Sequence, residues 1–221
     1  GYVGAFPFAE VISGFTSFFL GARSQCPSVT MEVRYTNSWG DMALEKETAE
    51  ALIADGCVLI SQHADTTGAP SACEAAGVPC VGYNISMLPV APSTALTSAA
   101  GDWGAYVTYA VKCLIDGEEI ARDWCKGYAE GAVYTTELND SIVAPGTAEK
   151  VAELEEAFKA GTVKVFDTSA FTVNGETLTS YTTAYGLEGI EMVSDGEFHE
   201  SSVRSAPYFD ILIDGITAVV E

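Results

Sequence analysis

Aromatic and hydrogen-bonding side chains follow the ends of several short apolar segments in the first half of the sequence. Aromatic rings can stack on the faces of a planar ligand, whereas carboxylates, amides and an imidazole can form hydrogen bonds with its edge. Such a mixture suits a planar, mostly uncharged ligand. The residues that we predict to bind it are Phe6, Trp39, Gln62, His63, Asp65, Asn84, Asp102 and Trp103.

Several of these residues, and the neighbouring Asp41 and Phe8, also have a purely structural explanation. His63 could cap the helix that follows it, and Asp41 and Asp65 are of the type preferred at helix N-caps. Trp103 could anchor the helix that it begins, and Phe8 could pack as a hydrophobic staple against its own helix. The prediction of a site therefore depends on the co-location of these residues, not on any one of them.

The sequence contains no GxSxG, Walker or GxGxxG motif, which are common signatures of hydrolases, NTPases and dinucleotide-binding enzymes. Ser61, His63 and Asp65 are too close along the chain to form a catalytic triad. With two histidines and no HExxH spacing, the sequence offers no His-rich metal centre. We therefore predict a binding protein that is not an enzyme and that uses neither a cofactor nor a metal.

The overall charge narrows the choice of partner. The 221 residues include 31 acidic and 10 basic side chains, which gives a net charge of -21. Nucleic-acid binding needs a basic stripe that ten scattered cations cannot form, and the same charge repels an anionic membrane surface. No apolar run reaches the ~18 residues that a membrane-spanning helix needs. This composition favours a small uncharged or cationic molecule as the partner.

Strand-like and helical patterns alternate through the first hundred residues, and these elements must position the candidate residues. Short apolar strands that alternate with amphipathic helices predict an α/β fold, in which a parallel sheet is covered by helices on both faces. The carboxyl ends of the strands then lie along one edge of the sheet, where ligands bind in such folds. The predicted strands span residues 2–6, 30–36, 57–62, 78–83 and 95–98, and the helices span residues 10–22, 41–55 and 70–76.

The second half of the sequence is less regular. A helix over residues 104–115 places Val107, Ala110, Val111 and Leu114 on one face. The Asn174-Gly175 pair within residues 171–181 is a strong β-hairpin signal. The other predicted elements are a strand over residues 131–135, a helix over residues 147–160 with Val151, Leu154 and Phe158 inward, an extended segment over residues 163–166, and an apolar strand or helix over residues 208–220.

Six cysteines are present, and none of them forms a CxxC pair. An even count permits disulfides, and spacing alone favours a bond between Cys113 and Cys125. The alternative is that most of them are small buried hydrophobic residues, which we prefer for Cys57 and Cys80 because each begins an apolar strand.

Several separated motifs occur together in this sequence. They are residues 1–7 (GYVGAFP), 10–12 (EVI), 36–39 (TNSW), 62–65 (QHAD), 96–98 (LTS) with 103–104 (WG), 198–200 (FHE) and 204–210 (RSAPYFD). Together they resemble the basic membrane protein family, whose members are substrate-binding lipoproteins of ABC importers with the type I periplasmic-binding fold. The resemblance covers most of the chain.

The resemblance implies a two-lobed protein that closes over a purine base or nucleoside. Residues 1–98 would form the second αβ lobe, residues 99–135 a hinge and return segment, and residues 136–221 a C-terminal helix, hairpin and extension. The first lobe, with its lipidated cysteine, would be missing from this chain. The resemblance also implies an ABC permease as partner and a location in the periplasm or, lipid-anchored, at the extracellular face of the membrane.

Two positions depart from the nucleoside-binding members of that family. Those members have Asp where Asn84 stands and Lys where Gly101 stands, and both residues help to hold the nucleoside. The branch that shares His63 and Trp103 resembles members thought to take a free purine base. The resemblance therefore implies a purine ligand and leaves both a free base and a nucleoside open for this chain.

We predict the solute-binding component of an ABC importer. One alternative is a sensor domain of the same fold, and a weaker one is a small nucleoside-processing enzyme. The enzyme would need a clustered Asp set for calcium or a phosphate-binding loop, and neither is visible in the sequence. Without a first lobe to cover the helix at residues 104–115, we also expect the 221-residue chain to associate with itself.

Overall fold

The computed structural model describes residues 1–184, 187 and 189–219, and these form two sheets and five α-helices. The strands are β1 (Tyr2–Gly4), β2 (Met31–Tyr35), β3 (Ile60–His63), β4 (Cys80–Tyr83), β5 (Ala95–Gly101), β6 (Val133–Thr135), β7 (Val193–Ser194), β8 (Glu197–Phe198) and β9 (Ile216–Val219). The helices are α1 (Ala9–Gln25), α2 (Met42–Ala54), α3 (Gly68–Ala76), α4 (Trp103–Asp116) and α5 (Thr147–Lys159), and a 3₁₀ turn spans Tyr128–Glu130.

The main sheet has the strand order β6, β5, β4, β3, β1, β2, β9, and only the β5–β6 pair is antiparallel. The predicted α/β fold with a parallel sheet is confirmed. The chain moves from β1 to β2 on one side of β1 and then to β3 on the other side, so the winding direction reverses there. In an open α/β sheet, such a reversal opens a crevice beyond the carboxyl ends of the strands.

The two faces of the sheet bury two separate apolar clusters. Side chains alternate between the faces of a strand, so Tyr2 of β1 lies in one cluster with Phe15 and Phe19 of α1. The next residue, Val3, lies in the other cluster with Leu52 of α2. The first cluster also takes in apolar side chains from the C-terminal third of the described chain. Helices therefore cover both faces, as predicted.

Two of the predicted helix ends are confirmed. The Asp41 carboxylate accepts hydrogen bonds from the backbone N–H groups of Ala43 (3.0 Å) and Leu44 (3.1 Å), which caps α2. Gly77 ends α3 at φ 70°, a left-handed conformation that a residue without a Cβ adopts at little cost. Asp65 is not the cap of α3, because Thr67 occupies that position.

Several predicted strands have different limits in the structure: β1 ends at Gly4 instead of residue 6, β4 begins at Cys80 instead of residue 78, and β5 continues to Gly101 instead of ending at residue 98. β3 begins at Ile60 instead of residue 57, because Val58 is 81% exposed and Cys57 is only partly buried before the sheet begins. The predicted extended segment at residues 163–166 pairs with no strand of the described chain. Phe166 nevertheless packs into the first apolar cluster and is only 3% exposed, so this apolar segment contributes to the core without forming a strand.

The C-terminal third contains two tight turns. The predicted turn at Asn174-Gly175 is present, but a single bridge between Val173 and Glu176 closes it. A hairpin with two residues in each strand lies instead at β7 and β8, around Asp195-Gly196. The predicted apolar segment at residues 208–220 ends in β9, which pairs with β2 at the sheet edge; Val220 and Glu221 lie outside the described residues.

Helices α4 and α5 lie at the predicted places but bury little. In α4 only Cys113 is buried, and no residue of α5 is buried in the described structure. The inward face predicted for α5 is therefore wrong: Leu154 is 40% exposed, and Phe158 instead stacks on Tyr128 with 5.3 Å between ring centroids. None of the helices that the described residues form has the length and apolar character needed to cross a membrane.

The disulfide between Cys113 and Cys125 that spacing favours is not formed, and all six cysteines are free thiols. Cys113 is the buried residue of α4, whereas Cys125 is exposed. Burial is confirmed for Cys80, the first residue of β4.

Candidate functional site

Five aromatic rings form a continuous row across the carboxyl edge of the sheet. Phe6, which follows β1, stacks on Phe8 with 5.1 Å between ring centroids and lies 5.5 Å from Trp39, which follows β2. His63 ends β3 and lies 6.3 Å from Trp39 and 4.3 Å from Tyr83, which ends β4. The row therefore crosses the point where the winding of the sheet reverses, and it brings Phe6, Trp39 and His63 together.

His63 is kept neutral by its surroundings. Its ring packs against α1 at Gly14, where an added Cβ would lie only 2.6 Å from Nδ1. Burial lowers the pKa of His63 to about 4, because the charged imidazolium would lose its hydration there. A neutral imidazole has one donor and one acceptor nitrogen, so His63 can bind either kind of ligand group at neutral pH.

Asp65 and Asn84 join the ends of β3 and β4. The Asn84 side-chain amide donates a 3.1 Å hydrogen bond to Asp65 Oδ1. Backbone contacts fix both residues, since Asp65 N–H donates to the Trp39 carbonyl (2.7 Å) and Asn84 N–H donates to the Ala99 carbonyl (2.8 Å). Asn84 has a φ of 66°, a conformation that Asn adopts more readily than most residues. The pair thus presents a preorganised polar group beside the aromatic row.

Gln62 and Glu45 support the loop after β3. Gln62 is 3% exposed, and its Nε2 donates to the carbonyls of Ala64 (2.7 Å) and Thr66 (2.9 Å). The fully buried Glu45 carboxylate accepts a hydrogen bond from Thr66 N–H (3.2 Å), and burial raises the pKa of Glu45. The structure therefore places Gln62 under the loop, not with the residues that line the clefts.

Asp102 and Trp103 begin α4 at the end of β5. Asp102 Oδ1 accepts a 2.8 Å hydrogen bond from Gly104 N–H, so this carboxylate caps the helix. Trp103 is 79% exposed, which excludes the alternative that it is a packing anchor in the described structure. An aromatic ring of this size that is left exposed at a concave surface is free to stack on a ligand.

Two further groups at this edge were not among the predicted residues. Tyr83 ends β4, and burial raises the pKa of its phenol, as do the carboxylates of Asp65 and Glu10. Glu10 lies in the first turn of α1, where an acidic residue is ordinarily explained by the helix dipole. The EVI motif contains Glu10, but only the three-dimensional structure shows that it faces the strand ends.

Most of these residues line one cleft of about 420 Å³. Its lining is Glu10, Trp39, His63, Asp65, Tyr83, Asn84, Ile85, Gly101 and Trp103. A second cleft of about 720 Å³ adjoins it, shares Glu10 and Trp103 with it, and extends over Tyr106, Trp124 and Asp102. Both volumes lie in the ~300–1,000 Å³ range of small-molecule sites. Phe6 and Phe8 back the smaller cleft through their contacts with Trp39.

The chemistry of the clefts suits the binding of a planar molecule. They provide aromatic faces, a neutral imidazole and partly free carboxylate and amide groups. Within residues 1–184, 187 and 189–219, no group of three His, Cys, Asp or Glu side chains is arranged to hold a metal ion. Ser61 is 5% exposed, so its hydroxyl is not presented at the cleft beside His63.

Comparison with known proteins places the chain among substrate-binding proteins. A family described as Bmp, ABC transporter substrate-binding protein PnrA-like, matches residues 1–167. A purine-binding protein of Brucella abortus is 35% identical over 167 residues, which are 75% of this chain and 47% of that protein. A Haloferax volcanii protein, provisionally named as an ABC transporter glucose-binding protein, is 32% identical over 191 residues, which are 86% of this chain and 49% of that protein. The chain thus spans about half the length of these relatives.

Solved structures share the fold at low sequence identity. A solute-binding protein of an ABC transporter system from Conexibacter woesei has a TM-score of 0.58 at 20% identity, over 74% of this chain and 55% of that one. A transcriptional activator of the comK gene from Bacillus halodurans has a TM-score of 0.62 at 20% identity, over 72% of this chain and 55% of that one. The fold is therefore common to proteins of both kinds.

Proposed function

The chain belongs to the Bmp family of PnrA-like ABC transporter substrate-binding proteins, and from this premise we propose that it forms one wall of a site that captures a purine base or nucleoside for import. The observation that carries the proposal is the row of aromatic rings beside hydrogen-bonding groups in one cleft, at the reversal point of the sheet. A purine needs both features, since its faces stack and its edge carries donors and acceptors.

The ligand class also draws support from the name of the Brucella abortus relative, which is a purine-binding protein. The name of the Haloferax volcanii relative supplies a second candidate, because aromatic rings and carboxylates also suit a sugar. Trp103 favours the purine, since its exposed ring matches a flat heteroaromatic face at the mouth of both clefts. Asn84 and Gly101, which replace the Asp and Lys of nucleoside-binding members, favour a free base over a nucleoside.

The rest of the proposal concerns the complete protein. It would present its ligand to an ABC permease from the periplasm or from the extracellular face of the membrane, held there by a lipid anchor, and it would not alter the ligand. Residues 1–98 would form one ligand-binding lobe, with residues 99–135 as the hinge and residues 136–221 as the C-terminal extension. We also propose that the 221-residue chain alone associates through the exposed face of α4, where Leu114 is 71% exposed.

Calorimetric titration of the complete protein with adenine, guanine, adenosine and glucose tests the ligand class. We expect saturable binding of purines with one molecule per chain and no binding of glucose. Chromatography of the same mixtures should recover each purine unchanged after long incubation. Tight binding of glucose without purine binding would contradict the ligand class, and steady release of base from adenosine would contradict a role in transport alone.

A further inference from the structure

Three of the carboxylates at the carboxyl edge differ in how much of their hydrogen-bonding capacity the protein uses. Asp65 accepts from the Asn84 amide (3.1 Å), and Asp102 accepts from Gly104 N–H (2.8 Å). The Glu10 carboxylate makes no hydrogen bond or ion pair with any residue in the described part of the chain, although Glu10 lines both clefts. Of the three, Glu10 therefore has both oxygens free to accept hydrogen bonds from a ligand.

The surroundings of Glu10 leave it free for this role. Glu10 lies in the first turn of α1, where the helix dipole favours a negative charge. The nine residues that line the smaller cleft include no Lys or Arg, so no cation in that lining competes for the carboxylate. Arg122 and Lys126 line only the larger cleft, and Lys126 is paired with Glu130 at 3.5 Å.

The charge of Glu10 selects the pattern of groups that it can bind. A carboxylate accepts two parallel hydrogen bonds best from two adjacent N–H donors. Guanine presents such a pair, its ring N1–H and its 2-amino group. Adenine presents its 6-amino donor beside the N1 acceptor, and a carboxylate repels that acceptor, whereas an amide matches the pattern because it has both a donor and an acceptor.

We propose that Glu10 is a ligand-contacting specificity residue that binds the N1–H and 2-amino edge of a guanine-type purine. The proposal rests on the purine-binding function proposed above and adds the face of the ligand that is recognised. The neutral imidazole of His63 and the Asp65–Asn84 pair, at the ends of β3 and β4, would then bind the remaining ligand groups.

Glu10→Gln in the complete protein tests this assignment, because it removes the charge and changes one acceptor to a donor at nearly constant size. Binding of guanine and adenine is followed by the fluorescence of the tryptophans. We expect the wild-type protein to prefer guanine, and Glu10→Gln to weaken guanine binding by about ten- to a hundredfold while adenine binding stays equal or improves. Glu47→Gln is the matched control, since it makes the same change at an exposed position of α2 outside both clefts. Thermal melts show that each variant is folded.

The outcomes separate this assignment from the function on which it rests. A guanine-specific loss in Glu10→Gln, absent from Glu47→Gln, supports the assignment. Unchanged guanine affinity, an equal loss for both purines, or a wild-type preference for adenine overturns it and leaves purine binding intact. A wild-type protein that binds neither purine overturns the proposed function itself, and the role of Glu10 with it.

Discussion

Helices α1 and α4 carry the same kind of apolar stripe, but the stripe of α1 is buried and the stripe of α4 is exposed. In α1 the side chains of Val11, Phe15 and Phe19 are completely buried against the sheet and the C-terminal segment. In α4 the equivalent stripe is open to solvent, with Leu114 at 71% and Ile115 at 78% exposure. Amphipathic periodicity thus predicts a helix and an apolar face, but not whether a packing partner is present.

The two helices also contribute differently to the stability of the fold and to the clefts. The stripe of α1 stabilises the fold, and the start of α1 positions Glu10 and leaves room at Gly14 for the ring of His63. The stripe of α4 contributes little to the described fold. The start of α4 carries Trp103, which lines both clefts. Substitutions in the two helices should therefore have opposite effects on stability and on association.

The largest effect should come from Phe15→Ala. Phe15 is completely buried in the first apolar cluster, so its truncation leaves a cavity and should lower the free energy of unfolding by about 3–5 kcal/mol. Leu114→Ala removes a comparable apolar group from α4 and should change that free energy by less than about 0.5 kcal/mol. Urea denaturation of both variants measures the difference. Equal destabilisation would show that α4 is packed as tightly as α1.

A smaller effect should follow from the titration of His63. Because its pKa is lowered to about 4 from 6.5, the unfolded chain takes up the proton first as the pH falls. The stability that depends on neutral His63 is therefore complete above the unfolded pKa and is lost as the pH falls towards the folded one. Between about pH 7 and about pH 4.5 the wild-type chain should lose about 2 kcal/mol more than His63→Gln. Parallel losses in the two proteins would contradict the buried, neutral state of His63.

The smallest change in stability, but a clear change in mass, should come from α4. Light scattering of the 221-residue chain should show an average mass that rises with concentration. Leu114→Asp should suppress this rise while its unfolding free energy stays within about 0.5 kcal/mol of the wild-type value. Val58→Asp adds the same charge at an isolated apolar residue that is 81% exposed, and it should leave the association unchanged. A wild-type chain that stays monomeric at all concentrations would contradict this role of α4.

Much of the site could be predicted because a parallel sheet converts sequence order into position. The parallel strands β1 to β5 end at the same edge, so Trp39, His63, Asp65, Asn84 and Trp103 line one cleft although they are up to 64 residues apart. Predicting this shared edge requires only that strands and helices alternate along the chain. Short apolar runs indicate the strands, and residues such as Asp41 and Gly77 mark where helices begin and end.

The burial of Gln62, the position of Glu10 and the exposure of α4 and α5 could not be predicted, because they depend on strand limits and on packing between elements. The periodicity of apolar residues carries no information about either. The sequence pattern predicts that Gln62 ends its strand, but β3 continues to His63. The side chains of Gln62 and His63 therefore point to opposite faces of the strand, and Gln62 is buried. Glu10 lies on a helix and not at a strand end, and its nearness to the cleft depends on how α1 packs. The exposure of α4 and α5 depends on what covers them, which no local pattern shows.

The most direct test of the central claim, that this edge binds a purine, is the affinity of Trp103→Ala in the complete protein. Stacking on an aromatic ring is worth ~1–3 kcal/mol per base, so purine affinity should fall by roughly ten- to a hundredfold. The melting temperature should not change, because Trp103 is 79% exposed. Leu44→Ala, a truncation of an exposed apolar side chain on α2 outside both clefts, should alter purine affinity by less than about threefold. Unchanged purine affinity in Trp103→Ala, together with a lowered melting temperature, would contradict the site.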